Sequence, residues 1–506
     1  AMELSWYLFI WSSICLSSAL LLQTYMQNFT KKARKLPPGP PRWPVFGNLF
    51  SLGTVPHQTL ANLSRRYGPV MWLQLGAVDT VVIQSAKAAK ELFKNHDISF
   101  AGRTITETMK TCGYHEGSIA VAQYGPYWRM LRRLCTTELV VQKRINETVI
   151  VRRKSIDGMI QWIDDDARTK GGVHIARFVF LMTFNLLGNL IFSRDLLGPQ
   201  STEGPDFFQS MDGLMKWGGT PNVADFFPIL KWLDPQRLRK NMERDMRRVM
   251  HIVSGFIEER IQDKQAGEEK KRKDLLDILL EFEGHGEEEP AKISEKNLNI
   301  FTLEIFLAAT ETTSSTTEWA MTELLRHPKV MKKLQAELAQ VVGWNRKFEE
   351  TDIDNLQYLQ AVVKETLRLH PPIPFLIPRR AVQDNFFMGY LIPKDTQVLV
   401  NVWAIGRDQD SWDDPLSFKP ERFLGSDIDY RGQDFEFIPF GAGRRSCVGI
   451  PLAHRVLHLT LGSLLHCFEW EFDSTVCPDN MDMKERMGIT LRKAVPLIAL
   501  PKRRNV

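Results

Sequence analysis

The sequence predicts a mainly α-helical protein with a small β region, built as one large domain on an N-terminal membrane anchor. Apolar residues recur at helical spacing through most of the chain from residue 86 to about residue 370. Period-two runs are short, confined to residues 70–85 and to scattered segments beyond 371. A composition of 43% hydrophobic and 25% charged residues supplies ample core for a chain of 506 residues. Two or three average domains would fit that length, but no internal repeat divides it. The formal net charge of +5 is small and dispersed, which points away from nucleic acid.

The anchor is read from residues 4–30, LSWYLFIWSSICLSSALLLQTYMQNFT, which carry no charge. As a helix this run would extend about 40 Å, against a hydrocarbon core of about 30 Å. Trp6, Tyr7 and Tyr25 suit interfacial positions, and Lys31, Lys32, Arg34 and Lys35 place the following side in the cytosol. A cleaved secretory signal would carry its basic residues before the apolar run and small residues at a cleavage site, and neither is found. The expected division is an anchor over 1–30, a basic, proline-rich hinge over 31–45 and a catalytic domain over 46–506. In the hinge, KLPPGPPRWPVFGN stops any helix and makes a semi-rigid spacer.

Beyond the hinge, VMWLQLGAVDTVVIQS (70–85) reads as two strands around a turn. The helical stretch that follows is broken at 218–228, 264–274 and 283–292, the last two being charged, solvated loops. From 371 the chain turns irregular and proline-rich; a helix follows Cys447, and MGITLRKAVPLIAL near the end looks like a hairpin. The cysteines at 15, 112, 135, 447, 467 and 477 are too scattered for a disulfide framework and fit a reducing compartment. Sequons at Asn28, Asn62 and Asn146 would then go unmodified.

Chemistry concentrates around Cys447, in FIPFGAGRRSCVGIPLAHRV. Gly441 and Gly443 allow backbone conformations and close approach that a Cβ would block. If Cys447 opens a helix, free N–H groups and the dipole favour its thiolate, and Arg444 and Arg445 add positive charge. Gly449 removes bulk on the same side. These features coincide if a flat, anionic, metal-bearing disc lies against the loop. Blander alternatives are a packed helix-initial cysteine, or a dinucleotide loop, which Ser446 in place of a third glycine disfavours. No second cysteine or histidine stands at zinc-finger spacing, and His454 and His458 read as ordinary packing residues.

Three more segments combine polar groups with helical spacing. In KETLRLHPP, Glu365 and Arg368 lie one turn apart on one face, though Glu323 and Arg326 share that spacing and a surface ion pair would suffice. In IFLAATETTSSTTEWAM, a helix starting near 295, Glu311 and Thr312 are costly in apolar surroundings unless partnered. A plain core helix with threonines bonded back to the preceding turn is the alternative. In YGPYWRMLRR, Trp128 and Arg132 fall one turn apart, with Arg129 and Arg133 on a basic face.

The run Phe440-Gly-Ala-Gly-Arg-Arg445-Ser-Cys447-Val-Gly449 resembles, at every fixed position, the haem-binding signature of the cytochrome P450 superfamily. The resemblance implies that superfamily's fold, haem b as cofactor and Cys447 as the proximal iron ligand, whose electron donation favours O–O cleavage. It makes Glu365, Arg368 and Arg422 (in FKPERF) a buried structural triad, and Thr312 with Glu311 the proton-delivery pair. Ala309 stands where glycine is usual in that motif. Trp128, Arg132, Arg379 and Arg445 would meet the haem propionates, with Phe440 and Gly449 against the macrocycle.

The motifs follow family order across the chain after residue 36. The proline hinge, AGR at 101–103 and AIGRD at 404–408 resemble plant microsomal members, closest to the subgroup oxidising terpenoid alcohols and iridoids. Substrate contacts implied by position are Ile119 and Phe226, then Ile305, Ala308 and Ala309 on the long helix. Ile373, Phe375, Leu376 and Ile489 complete the set. Trp217 and Glu304 are further candidates, Glu304 being equally compatible with a surface position. Most of these are apolar, which predicts a lipophilic small molecule.

The chain has no Rossmann fingerprint and no second cysteine set for an iron–sulfur cluster, so electrons must come from another protein. The resemblance implies NADPH–cytochrome P450 reductase with FAD and FMN, cytochrome b5 as a second donor, and a single-pass protein of the endoplasmic reticulum with its catalytic domain in the cytosol. The expected activity is insertion of one oxygen atom of O2 into a terpenoid-like substrate. The alternatives are a reductase-independent haem isomerase or dehydratase, and a non-catalytic haem-binding protein.

Overall fold

The computed structural model describes residues 11, 18, 35–198, 204–266, 274–284, 286–472 and 477–504. The anchor expected over 1–30 and the basic run as far as Arg34 therefore fall outside the described residues, apart from those two positions. Helix α1 (Pro56–Tyr67) leads into the expected pair of strands, β1 (Val70–Leu75) and β2 (Val78–Ile83), antiparallel with Val70 opposite Ile83. Both faces of this pair are covered. Val70, Trp72, Val81 and Ile83 enter one apolar cluster and Met71, Leu73, Leu75 and Val82 another, so the period-two pattern sorts residues between two cores. Ser85 caps α2 (Ala86–Asn95) by accepting the Ala88 N–H at 3.2 Å. β3 (Gly102–Arg103) completes this region.

Helices then dominate: α3 (Pro126–Leu134), α4 (Val149–Lys170), β4 (Val173–His174), α5 (Ile175–Phe192), α6 (Gly204–Gly219) and α7 (Leu238–Gln265). Next come α8 (Glu295–Arg326), α9 (Pro328–Val341) and α10 (Gln357–Leu369). The irregular part holds β5 (Arg379–Arg380), β6 (Gln397–Val400), α11 (Ile450–Cys467), β7 (Phe468–Phe472), β8 (Glu485–Arg486), β9 (Arg492–Lys493) and β10 (Ile498–Arg503). One sheet has the order β1-β2-β6-β5-β3, in which β2 and β6 are parallel. The expected terminal hairpin is split: β9 pairs with β8, whereas β10 leaves to pair with β4 and β7.

The long helix α8, started by a Ser294 cap and about 48 Å in length, runs through the domain. It packs against α5, α7, α10 and α11 and so separates two large apolar cores. Among the described residues, α5 alone is long and apolar enough to cross a membrane. It is buried over 78% of its window between α4 and α8, so its hydropathy reflects the core.

Candidate active site

The Cys447 loop has the backbone that its glycines imply. Gly441 and Gly443 have φ of 72° and 69°, and the Cys447 N–H closes the loop onto the Phe440 carbonyl at 2.9 Å. Gly443 is needed for a reason the sequence did not show: a Cβ there would come within 2.7 Å of the Asp97 carboxylate. The helix begins later than expected, at Ile450 with Gly449 as its cap. Cys447 lies deep in the fold, yet its side chain stays open to solvent. Burial pushes the thiol up; the Gly449 N–H and the Arg132 charge pull it down by less. The expected lowering by a helix start and neighbouring arginines is thus reversed by desolvation. Arg444 turns aside to Asp97, at 3.2 Å.

Beside this loop, buried arginines converge. Arg445 donates to the Ala101 and Ala122 carbonyls at 3.0 and 2.8 Å and lies 4.2 Å from the Trp128 ring centre. Its Nη1 is buried without a partner. Arg132 donates to the Ser446 carbonyl at 2.8 Å, and Trp128 gives its indole N–H to the Ile119 carbonyl at 2.8 Å. Arg379 is the inward member of its pair: it is buried and meets Asp97 at 2.7 Å, while Arg380 reaches out toward Asp395. Arg103 joins them, donating to the Ala120 and Ile377 carbonyls. Burial, then the charges of Arg379 and Arg132, lower the Arg445 guanidinium to about 9. Burial, then Arg445 and Arg379, hold Arg103 well below its usual range.

The three residues Glu365, Arg368 and Arg422 come together in the interior. Arg368 grips Glu365 with two bonds of 2.7 and 2.8 Å, and Arg422 reaches the same carboxylate at 3.0 Å. Arg368 also donates to the carbonyls of Gly406 and Pro415, so the charges are paired and their protons used. The other pair of that spacing is weaker: Arg326 lies 3.4 Å from Glu323, whose shorter bond, at 2.8 Å, goes to His370.

Between Leu298 and Leu325 every residue of α8 is buried except Ala308, Ala309 and Thr312, which share one face. The Thr312 hydroxyl donates back to the Ala308 carbonyl at 2.6 Å, as Thr310 does to Phe306 at 2.7 Å. Glu311 points elsewhere, with one carboxylate oxygen on Arg492 and the other buried without a partner. Arg492 continues to Asp212 at 3.3 Å.

Of the expected substrate contacts, Ile119, Ile305, Ala309 and Ile489 pack in one cluster with Trp217 and with Val448, the neighbour of Cys447. Phe226 and Phe375 instead pack with Met71, Leu73 and Leu75 under the sheet. Leu376 belongs to the cluster on its other face, at φ 53°, and Ile373 is half-buried. Glu304 is not on the surface but fully enclosed, accepting bonds from the 114–120 loop.

Residues 37–498 match the Cytochrome P450 family model. The chain belongs to the cytochrome P450 family. It is 55% identical to cytochrome P450 76A2 of Solanum melongena, over 99% of this chain and 100% of that one. It is 51% identical to an iridoid oxidase of Catharanthus roseus, over 96% and 95% of the two chains. A geraniol 8-hydroxylase of the same plant shares 42%, over 96% and 97%. Among solved structures, a zebrafish cytochrome P450 with abiraterone superposes with TM-score 0.75 and 28% identity, covering 90% of this chain and 100% of that one.

A P450 is a monooxygenase that holds haem through a cysteine thiolate and draws electrons from a redox partner. The residues present fit that group. Arg103, Arg132, Arg379 and Arg445 outnumber Asp97, and Arg445 keeps an unpartnered Nη1, as a cradle for an anionic edge requires. The Cys447 side chain remains exposed, as a ligand to such a group requires. Sequence reasoning missed Arg103 and Asp97 as parts of this P450 site. AGR at 101–103 carried the signal for Arg103; nothing near Asp97 marked it.

Proposed function

We propose that this P450 oxidises a small lipophilic terpenoid, a monoterpenol or iridoid, with O2 and electrons from NADPH–cytochrome P450 reductase. The observation that carries this reading is the window in α8, where three small or hydroxylated residues interrupt an otherwise buried helix. The surrounding cluster of Ile119, Ile305 and Ile489 is apolar, which suits a hydrocarbon body oriented by few polar contacts. The iridoid oxidase and geraniol 8-hydroxylase relatives support the substrate class.

In this reading Cys447 ligates haem iron, and Arg132, Arg379 and Arg445 hold the carboxylates at its edge, with Trp128 beneath Arg445. Phe440 and Gly449 lie beside the sulfur, where a Cβ at residue 449 would stand 3.6 Å from Sγ. When bound, haem supplies dioxygen activation. The chain supplies the rest: Thr312 Oγ1 holds a proton at the open face, Glu311 serves as the acid only on leaving the Arg492 pair that turns it away, and the Glu365–Arg368–Arg422 group braces the cysteine side. The apolar walls exclude water from the reacting carbon.

The catalytic domain over 46–506 would sit on the cytosolic side of the endoplasmic reticulum membrane, tethered by the anchor over 1–30 through the hinge over 31–45. Exposed Trp43, Phe46 and Phe50 support this, because they adjoin the hinge and continue through a Phe46–Phe227 ring contact at 5.7 Å to exposed Ile229 and Trp232. Arg129 and Arg133 on α3 offer a basic surface to an acidic reductase or to cytochrome b5.

Microsomes containing the chain and a reductase, supplied with geraniol or iridoid alcohols, test the proposal. NADPH-dependent oxygenated product is expected. Product formed without NADPH or reductase would favour an isomerase or dehydratase, and haem binding with no product from any lipophile would favour a non-catalytic protein.

A further inference from the structure

Glu304 lies one turn before the open face of α8, four residues ahead of Ala308, and is only 3% exposed. Its Oε1 accepts the Tyr114 hydroxyl at 2.9 Å, the Ala120 N–H at 3.1 Å and the Ser118 hydroxyl; its Oε2 accepts the Ile119 N–H at 2.5 Å. All four donors lie in one short segment, Tyr114 on the helical turn Tyr114–Gly117 and the other three on the loop that follows it. Enclosing a carboxylate is costly, and charge-assisted bonds from this many donors are the ordinary offset. The Ile119 N–H would otherwise need another partner in a buried, non-helical segment, whereas the Ala120 N–H is shared with Ser118 Oγ at 3.1 Å.

The same loop is held from the opposite side by the residues assigned to the cofactor edge. Trp128 donates to the Ile119 carbonyl, Arg103 to Ala120 and Arg445 to Ala122, each at 2.8 Å. Ile119 therefore has both its N–H and its carbonyl fixed, and it belongs to the apolar cluster that also holds Ile305, Ala309 and Ile489.

We infer that Glu304 is a positioning residue for substrate selection: its carboxylate sets how far the 118–122 loop, and Ile119 with it, overhangs the open face of α8. The inference rests on the proposed reading that this face receives the substrate. A purely packing role would be met by an aliphatic residue; an acid is required because the loop presents donors.

Glu304→Gln keeps the shape but sets an amide where one oxygen accepts, and Glu304→Asp keeps both acceptors on a shorter arm. Two probes need only haem and room, namely imidazole and the bulkier 4-phenylimidazole, titrated spectroscopically on the full-length, haem-loaded protein. E304Q is expected to change the ratio of their affinities about ten-fold, the effect of losing one or two charge-assisted bonds. Amide exchange should rise in 114–122 alone, with an unchanged reduced carbon monoxide spectrum, and E304D should restore part of the ratio. If E304Q does not accumulate, Y114F and S118A should each move the ratio in one direction by about two- to three-fold. An unchanged ratio and unchanged exchange in the variants that fold overturn the inference. Failure of the wild type to oxidise any terpenoid would instead sink the substrate reading, while the affinity ratio still decides the role of Glu304.

Discussion

At the scale of single residues, the site combines groups whose cost only a bound partner or a specific neighbour relieves. Thr312 is the open hydroxyl of α8, and T312A should leave NADPH consumption intact while product per NADPH falls about ten- to hundred-fold, measured by coupled oxidation and product assays. A second test concerns Glu318, buried on the same helix. Burial raises its carboxyl to about 7, opposed by the Leu497 N–H and the Lys493 charge. The folded chain therefore holds this proton through a pH window in which the unfolded chain has lost it, and stability drops as pH climbs toward 7. E318Q cannot ionise. Thermal melts should show little difference from wild type at pH 5 and a more stable E318Q at pH 8, by on the order of 3 kcal/mol.

At the scale of elements, the Glu365–Arg368–Arg422 group joins α10 to the segment before Cys447 through buried bonds of 2.7–3.0 Å. E365A leaves the buried Arg368 guanidinium without its counter-charge and takes one partner from half-buried Arg422, and should cost about 3–5 kcal/mol. Urea melts read that loss, and R422K, which keeps the charge, should lose less. Elements whose sequence signal is local were legible. The β1–β2 pair followed from its alternation and α8 from its long apolar run, while Gly441 and Gly443 marked a backbone that a Cβ would hinder. What depends on packing was not legible. The helix dipole near Cys447 can be read from sequence, but the desolvation that outweighs it cannot. Phe226 and Phe375 are apolar in either core, and only the sheet's placement shows which one they fill. Asp97 and Arg379 are 282 positions apart, so no spacing joins them.

At the scale of the whole molecule, the outer face of α3 is already engaged from within. Arg129 and Arg133 pair with Glu288 and Glu289 of the loop before α8, at 3.0 and 2.8 Å. Exposed pairs of this kind contribute about 0.2–1 kcal/mol each and exchange readily for another acidic surface. An E288Q/E289Q double variant should lower the reductase concentration for half-maximal turnover by about two- to ten-fold at low salt, with the gain vanishing at high ionic strength.

Cofactor and fold meet in the buried arginines, whose mutual repulsion an anionic edge would relieve, so haem loading should raise the melting temperature. All of this turns on sulfur ligation at position 447. The reduced carbon monoxide difference spectrum of the full-length chain, recorded beside C447A, measures it most directly. The account predicts a thiolate-type Soret band in the wild type and its complete loss in C447A. A wild-type spectrum of nitrogen or water ligation, or an unaltered band in C447A, would contradict it.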